Sequence, residues 1–116
     1  MSHKDLKYAV AVFGLMSSQL FSQNISGNYF AVEPKCKMHL KIGLQNNYVL
    51  SINNKTKLKG KLKISREDSV TYFDFGHISS VYALDTVYIQ NSGNAMNPYW
   101  HFKECDMKYI RLAKRK

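Results

Sequence analysis

The feature that most constrains this chain is a strict alternation of apolar and lysine side chains. From Lys57 to Ile64, the residues Leu58, Gly60, Leu62 and Ile64 take one side of an extended backbone while Lys57, Lys59, Lys61 and Lys63 take the other. Successive side chains point to opposite faces only in a β-strand; a helix would scatter the four lysines around its axis. The same period of two recurs in Met38, Leu40, Ile42 and Leu44, and again in Tyr48, Leu50 and Ile52. These segments cannot be packed as helices without exposing half of their apolar side chains.

Turn residues divide the rest of the chain at intervals that suit short antiparallel strands. Gln45-Asn46-Asn47, Asn53 to Thr56 and Ser65-Arg66-Glu67-Asp68 read as polar turns. Val70 to Phe75, His77 to Leu84 and Thr86 to Gln90 are rich in β-branched and aromatic residues and are split by Gly76 and Asp85. Asn91-Ser92-Gly93-Asn94 is the strongest turn signal. Beyond it, strands are expected at Tyr99 to Phe102 and Met107 to Leu112, and Ala113-Lys114-Arg115-Lys116 reads as a frayed basic tail. Counting Asn28 to Val32, the pattern predicts an all-β domain, a small antiparallel barrel or sandwich of about eight strands.

The first 22 residues break this pattern. Lys4 and Lys7 precede an apolar run from Tyr8 to Met16, which Ser17, Ser18 and Gln19 follow, with a cleavage point near Ser22. This is the layout of an export signal, and the run is too short to span the roughly 30 Å of a bilayer core. The expected organisation is therefore a signal peptide over 1–22, helical in character, and a single β domain over 23–116, working as a secreted or periplasmic monomer.

Export gives meaning to the two cysteines, Cys36 and Cys105. In an oxidising compartment an even count in a small domain points to a disulfide. A closed meander makes its first and last strands neighbours, which would bring these two residues within bonding range. Such a bridge would remove roughly 4 kcal/mol of unfolded-state freedom by the loop-entropy relation.

A resemblance rests on two short motifs. Gly27-Asn28-Tyr29, opening the first strand, resembles the Gly-x-Trp opening of lipocalin-like (calycin-type) barrels, with Tyr29 in place of tryptophan. Gly60-Lys61-Leu62 is similar to the second glycine-led strand of short exported members. The resemblance implies an eight-stranded barrel that binds a small apolar ligand or serves as an envelope accessory protein, and it transfers no catalytic residue.

Four constellations bear on function. Catalysis finds little footing, because His39, His77 and His101 lie in or beside strand patterns and no Gly-x-Ser-x-Gly elbow exists. Cys36-x-x-His39 and His101-x-x-x-Cys105 have spacings that zinc sites use, so a cytosolic form of the chain would have a candidate metal set. The net charge of +9 draws anionic partners, and Lys57, Lys59, Lys61 and Lys63, extended by Lys37 and Lys41 from an adjacent strand, form its densest pattern. The same lysines would equally well protect a sheet edge. The loop from Asn91 into Asn97, Tyr99 and Trp100 places amides beside aromatic rings, a pairing that suits sugars as well as simple packing.

The sequence thus predicts a non-enzymatic exported binding or accessory protein of the cell envelope, with a basic surface and no cofactor or metal. Its expected partner is an anionic polysaccharide or lipid surface, or a small apolar ligand; nucleic acid is disfavoured. The alternatives are a cytosolic zinc- or nucleic-acid-binding β module and an inhibitor of a secreted enzyme.

Overall fold

The computed structural model describes residues 25–115. The export signal expected over 1–22 and the boundary that follows it lie outside these residues, as does Lys116. The described chain is all-β with one short 3-10 turn, and its nine strands follow one another as a meander. They are β1 (Gly27–Ala31), β2 (Met38–Ile42), β3 (Asn47–Ile52), β4 (Lys55–Lys61), β5 (Lys63–Glu67), β6 (Val70–Phe75), β7 (Ile78–Ala83), β8 (Thr86–Gln90) and β9 (Tyr109–Arg115).

These strands form one antiparallel sheet in the order β4-β3-β2-β1-β9-β8-β7-β6-β5. Its two edges, β4 and β5, are consecutive in the chain and are separated only by Leu62. They behave as one long strand bent at that residue, the first half paired with β3 and the second with β6. The result is a nearly closed barrel of nine strands, in which β4 and β5 share one stave. Leu62 is buried at the bend and its N–H donates to Asn46 O at 2.8 Å.

Hairpin chemistry sets the registers. Ile52 faces Lys55 across Asn53-Asn54, Glu67 faces Val70 across Asp68-Ser69, and Ala83 faces Thr86 across Leu84-Asp85. Both residues of each pair have positive φ, between 51° and 68°. This conformation continues the right-handed twist of the flanking strands, and asparagine and aspartate tolerate it best. The expected turn at Ser65 to Asp68 is displaced accordingly: Ser65, Arg66 and Glu67 belong to β5, and the reversal falls on Asp68-Ser69.

Inward residues of all the central strands make one packed cluster, in which Tyr29, Leu40, Leu50, Phe73, Phe75, Ile89, Ile110 and Leu112 are inaccessible to solvent. Tyr29 stands where the resemblance places a tryptophan, and its hydroxyl donates to Ile25 O at 2.5 Å. Gly60 lies opposite Tyr48 with φ +157°, and a Cβ there would meet the tyrosine ring at 3.7 Å. That distance is ordinary contact, so it is the backbone φ, rather than lack of space, that favours glycine at residue 60.

Cys36 and Cys105 are bonded to each other, with Cα atoms 4.8 Å apart. The pairing of β1 with β9 brings the two ends of the domain together, as the closed meander requires. Both sulfurs being consumed in this bond, the Cys/His set read as a zinc alternative has no thiolates to offer. Among the described residues, no helix is long and apolar enough to cross a membrane.

The C-terminal segment departs from expectation. Ala113, Lys114 and Arg115 are ordered strand residues, paired with Phe30, Tyr29 and Asn28 respectively. Gly27, with φ +147°, leaves room for the Lys114 stem, which a Cβ would approach to 2.7 Å. The tail is held because its backbone supplies hydrogen bonds that β1 would otherwise lack, a demand invisible in its polar composition. Tyr99 to Phe102 contributes only an isolated bridge between Trp100 and Ser92, and the last strand begins at Tyr109.

Candidate binding surface

Outward positions alternate with the core positions along each strand, so the registers fix which surface residues are neighbours. One row runs across five strands: Arg115 of β9, Asn28 of β1, Lys41 of β2, Val49 of β3 and Lys59 of β4. All five are exposed. Arg115, Lys41 and Lys59 occupy every second strand and so stand about 10 Å apart, given the ~4.8 Å spacing between strands. That separation is close to the ~8 Å screening length at physiological salt, which limits their mutual repulsion while leaving all three open to one anionic polymer. Lys61 adds a further cation along β4, opposite Asn47.

The four expected lysines do not form one straight stripe. A bulge between Leu50 and Ser51 in the pairing of β3 with β4 leaves Lys57 out of step, and its Nζ forms an ion pair with Glu104 Oε2. The bend at Leu62 carries Lys63 onto a different neighbour, Asp74 of β6. Lys59 and Lys61 therefore remain on the outer face of β4, and β3 separates them from Lys41. Lys57 holds the Glu104 carboxyl below its ordinary range, chiefly through the hydrogen bond it donates.

Above the cationic row lies a stack of side chains. The Arg115 guanidinium sits 4.0 Å from the centroid of Phe30, and the imidazole of His39 lies parallel to Phe30 at 4.4 Å and 2°. A guanidinium over an aromatic face is attracted by the ring quadrupole and surrenders little hydration. His39 Nε2 lies 2.9 Å from Asn28 Oδ1, to which it donates. Burial, followed by the nearby charges of Lys41 and Arg115, lowers the His39 pKa below the usual histidine value. The ring is thus neutral at pH 7, and Arg115 meets no second cation in the stack.

The loop from Asn91 to Lys108 is organised by a residue read from sequence only as part of a turn. Asn91 is fully buried. Its Nδ2 donates toward the carbonyls of Phe102, Cys105 and Met107 at 2.9, 2.7 and 2.9 Å, and its Oδ1 accepts Phe102 N–H at 2.8 Å. Asn97 N–H donates to Asn94 Oδ1 at 2.9 Å, Tyr99 packs against His101 at 4.8 Å between ring centroids, and Trp100 is 45% exposed. The loop and the lysine strand meet at the ion pair of Lys57 with Glu104. Asn97, Tyr99 and Trp100 stand in the loop rather than on the cationic row.

Phe30, His39, Asn28 and Arg115 were not legible as a group, because they come from three strands whose adjacency depends on barrel closure. Only the alternation around His39 and Lys41 hinted that both face outward. No protein-family model matches the chain, and neither a curated protein nor a solved structure is significantly similar to it.

Proposed function

We propose that this protein is a non-enzymatic, exported binding protein of the lipocalin-like barrel type, and that the outer wall formed by β9, β1, β2, β3 and β4 holds an acidic polysaccharide. The observation that carries the reading is the alignment of Arg115, Lys41 and Lys59 across β9, β2 and β4 on one face of the barrel. The lysines and arginines borne on strands fall on β2, β4, β5 and β9, and β1, β3, β6, β7 and β8 contain none.

Edge protection accounts for part of the pattern. β4 and β5 are the two edges of the sheet, and lysines there discourage pairing with another chain. Lys41 and Arg115 are different, since β2 and β9 are paired on both sides and have no edge to protect. Their alignment with Lys59 supports a polyanion role. The packed barrel interior favours an outside partner over a small apolar ligand within, and the disulfide is compatible with an extracytoplasmic location.

The test is retention on an immobilised sulfated polysaccharide across a salt gradient. Lys41→Gln with Arg115→Gln should elute at clearly lower salt than the parent, while replacement of Lys63 alone should change little. Unchanged elution of the double variant overturns the reading. So does binding to vesicles of anionic phospholipid with no retention on the polysaccharide.

A further inference from the structure

Beside the cationic row, the residues that follow β1 and precede β2 border an open pocket of about 250 Å³ against the outer wall. Its lining includes Arg115, Lys37 and His39, and also Phe30, Glu33 and Asn54. These groups divide by chemistry. Arg115 and Lys37 are permanent cations at neutral pH, suited to an oxyanion. Glu33 and Asn54 offer the acceptors and donors that bind hydroxyl groups. Phe30 supplies an apolar wall, although its ring is sandwiched between Arg115 and His39.

A site for a bare inorganic anion has no use for a carboxylate, which would repel it. Here Glu33 lines the same pocket as Arg115 and Lys37, and its Oε1 lies 3.4 Å from Arg111 Nη2, outside the lining. A ligand that satisfies both halves carries one anionic substituent and several hydroxyls. The volume lies just under the roughly 300 Å³ at which ligand pockets typically begin, which suits a single sugar ring. Arg115 belongs both to the pocket and to the row that leads through Lys41 to Lys59.

We infer that this pocket binds one anionic monosaccharide unit, a uronic acid or a sulfated sugar, at the end of the polysaccharide held along the wall. The inference rests on the polyanion reading and names its specific subsite. Arg115 and Lys37 hold the carboxylate or sulfate, Glu33 and Asn54 hold the ring hydroxyls, and the remaining polymer passes over Lys41 toward Lys59 and Lys61.

The experiment titrates the full chain with glucuronate, glucose and inorganic sulfate, followed by two-dimensional amide NMR. Glucuronate is expected to shift the amides of Lys37, His39, Asn54 and Arg115, with glucose and sulfate at least about tenfold weaker, the loss expected when a charge-assisted or hydroxyl contact is absent. Arg115→Gln and Glu33→Gln should each weaken glucuronate about tenfold or more by the same reasoning. Lys59→Gln with Lys61→Gln should leave it unchanged while reducing retention of the polymer. Equal binding of sulfate and glucuronate, or an unaltered Glu33→Gln variant, overturns the inference. Retention of the polymer without any monosaccharide shift sinks the subsite alone. Monosaccharide binding without retention instead removes the polymer reading. Should Arg115→Gln disturb the fold, Lys37→Gln, outside every strand, asks the same question of the anion contact.

Discussion

Replacing Asn91 by alanine should release the loop between β8 and β9. The buried side chain accepts one hydrogen bond from Phe102 N–H and donates toward three carbonyls, those of Phe102, Cys105 and Met107. An amide has only two donor hydrogens, so the network amounts to three bonds at about 1 kcal/mol each. Alanine also leaves the Phe102 N–H buried without this acceptor, which raises the expected loss to about 3–4 kcal/mol. With a urea slope of about 1–3 kcal/mol/M, the unfolding midpoint should fall by about 1 M or more. Trp100, the only tryptophan, lies within the loop and reports on it by fluorescence, and circular dichroism follows the barrel separately. Asn91→Asp sharpens the test. An ionised carboxylate still accepts from Phe102 but sets a negative charge against three carbonyl oxygens. Its folded-state pKa is therefore raised above the ~3.9 of an unfolded aspartate, so its stability is lost as pH rises through the folded value and is partly regained in acid. Midpoints of both variants within about 0.3 M of the parent, at neutral pH, would refute the account, since at such slopes that shift is under about 1 kcal/mol.

Two further outcomes follow from the disulfide and the histidines. Breaking the Cys36–Cys105 bond with paired serines should cost about 4 kcal/mol for a separation of 69 residues, read as a lower melting point; an unchanged melt would show that β1–β9 pairing alone closes the barrel. Between pH 8 and pH 5.5, stability should decline on acidification. Burial first lowers the pKa of both His39 and His101, with nearby Lys41 and Arg115 adding to the first and His77 to the second. The unfolded chain therefore takes up protons near ~6.5 before the folded one does. The decline should flatten in a His39→Gln, His101→Gln variant, and an equally steep decline there would assign the effect to other groups.

The sequence alone determined the class of fold, because alternation of apolar and polar residues is a local property of each strand. Met38 to Ile42 and Tyr48 to Ile52 alternate so cleanly that their core faces are readable without neighbours. The cysteine pairing was legible for a different reason: two cysteines in a small domain read as exported leave one pairing, and a closed meander permits it. What each strand touches is another matter. The bulge opposite Leu50 and Ser51 and the bend at Leu62 broke an apparently uniform lysine run, and both arise from the curvature needed to close the sheet. A tail of lysine and arginine became strand because β1 needed a partner, and a turn asparagine became the buried centre of a loop because three carbonyls converged on it. The candidate site joins residues 28–41 to residue 115, and only closure of the barrel places them side by side.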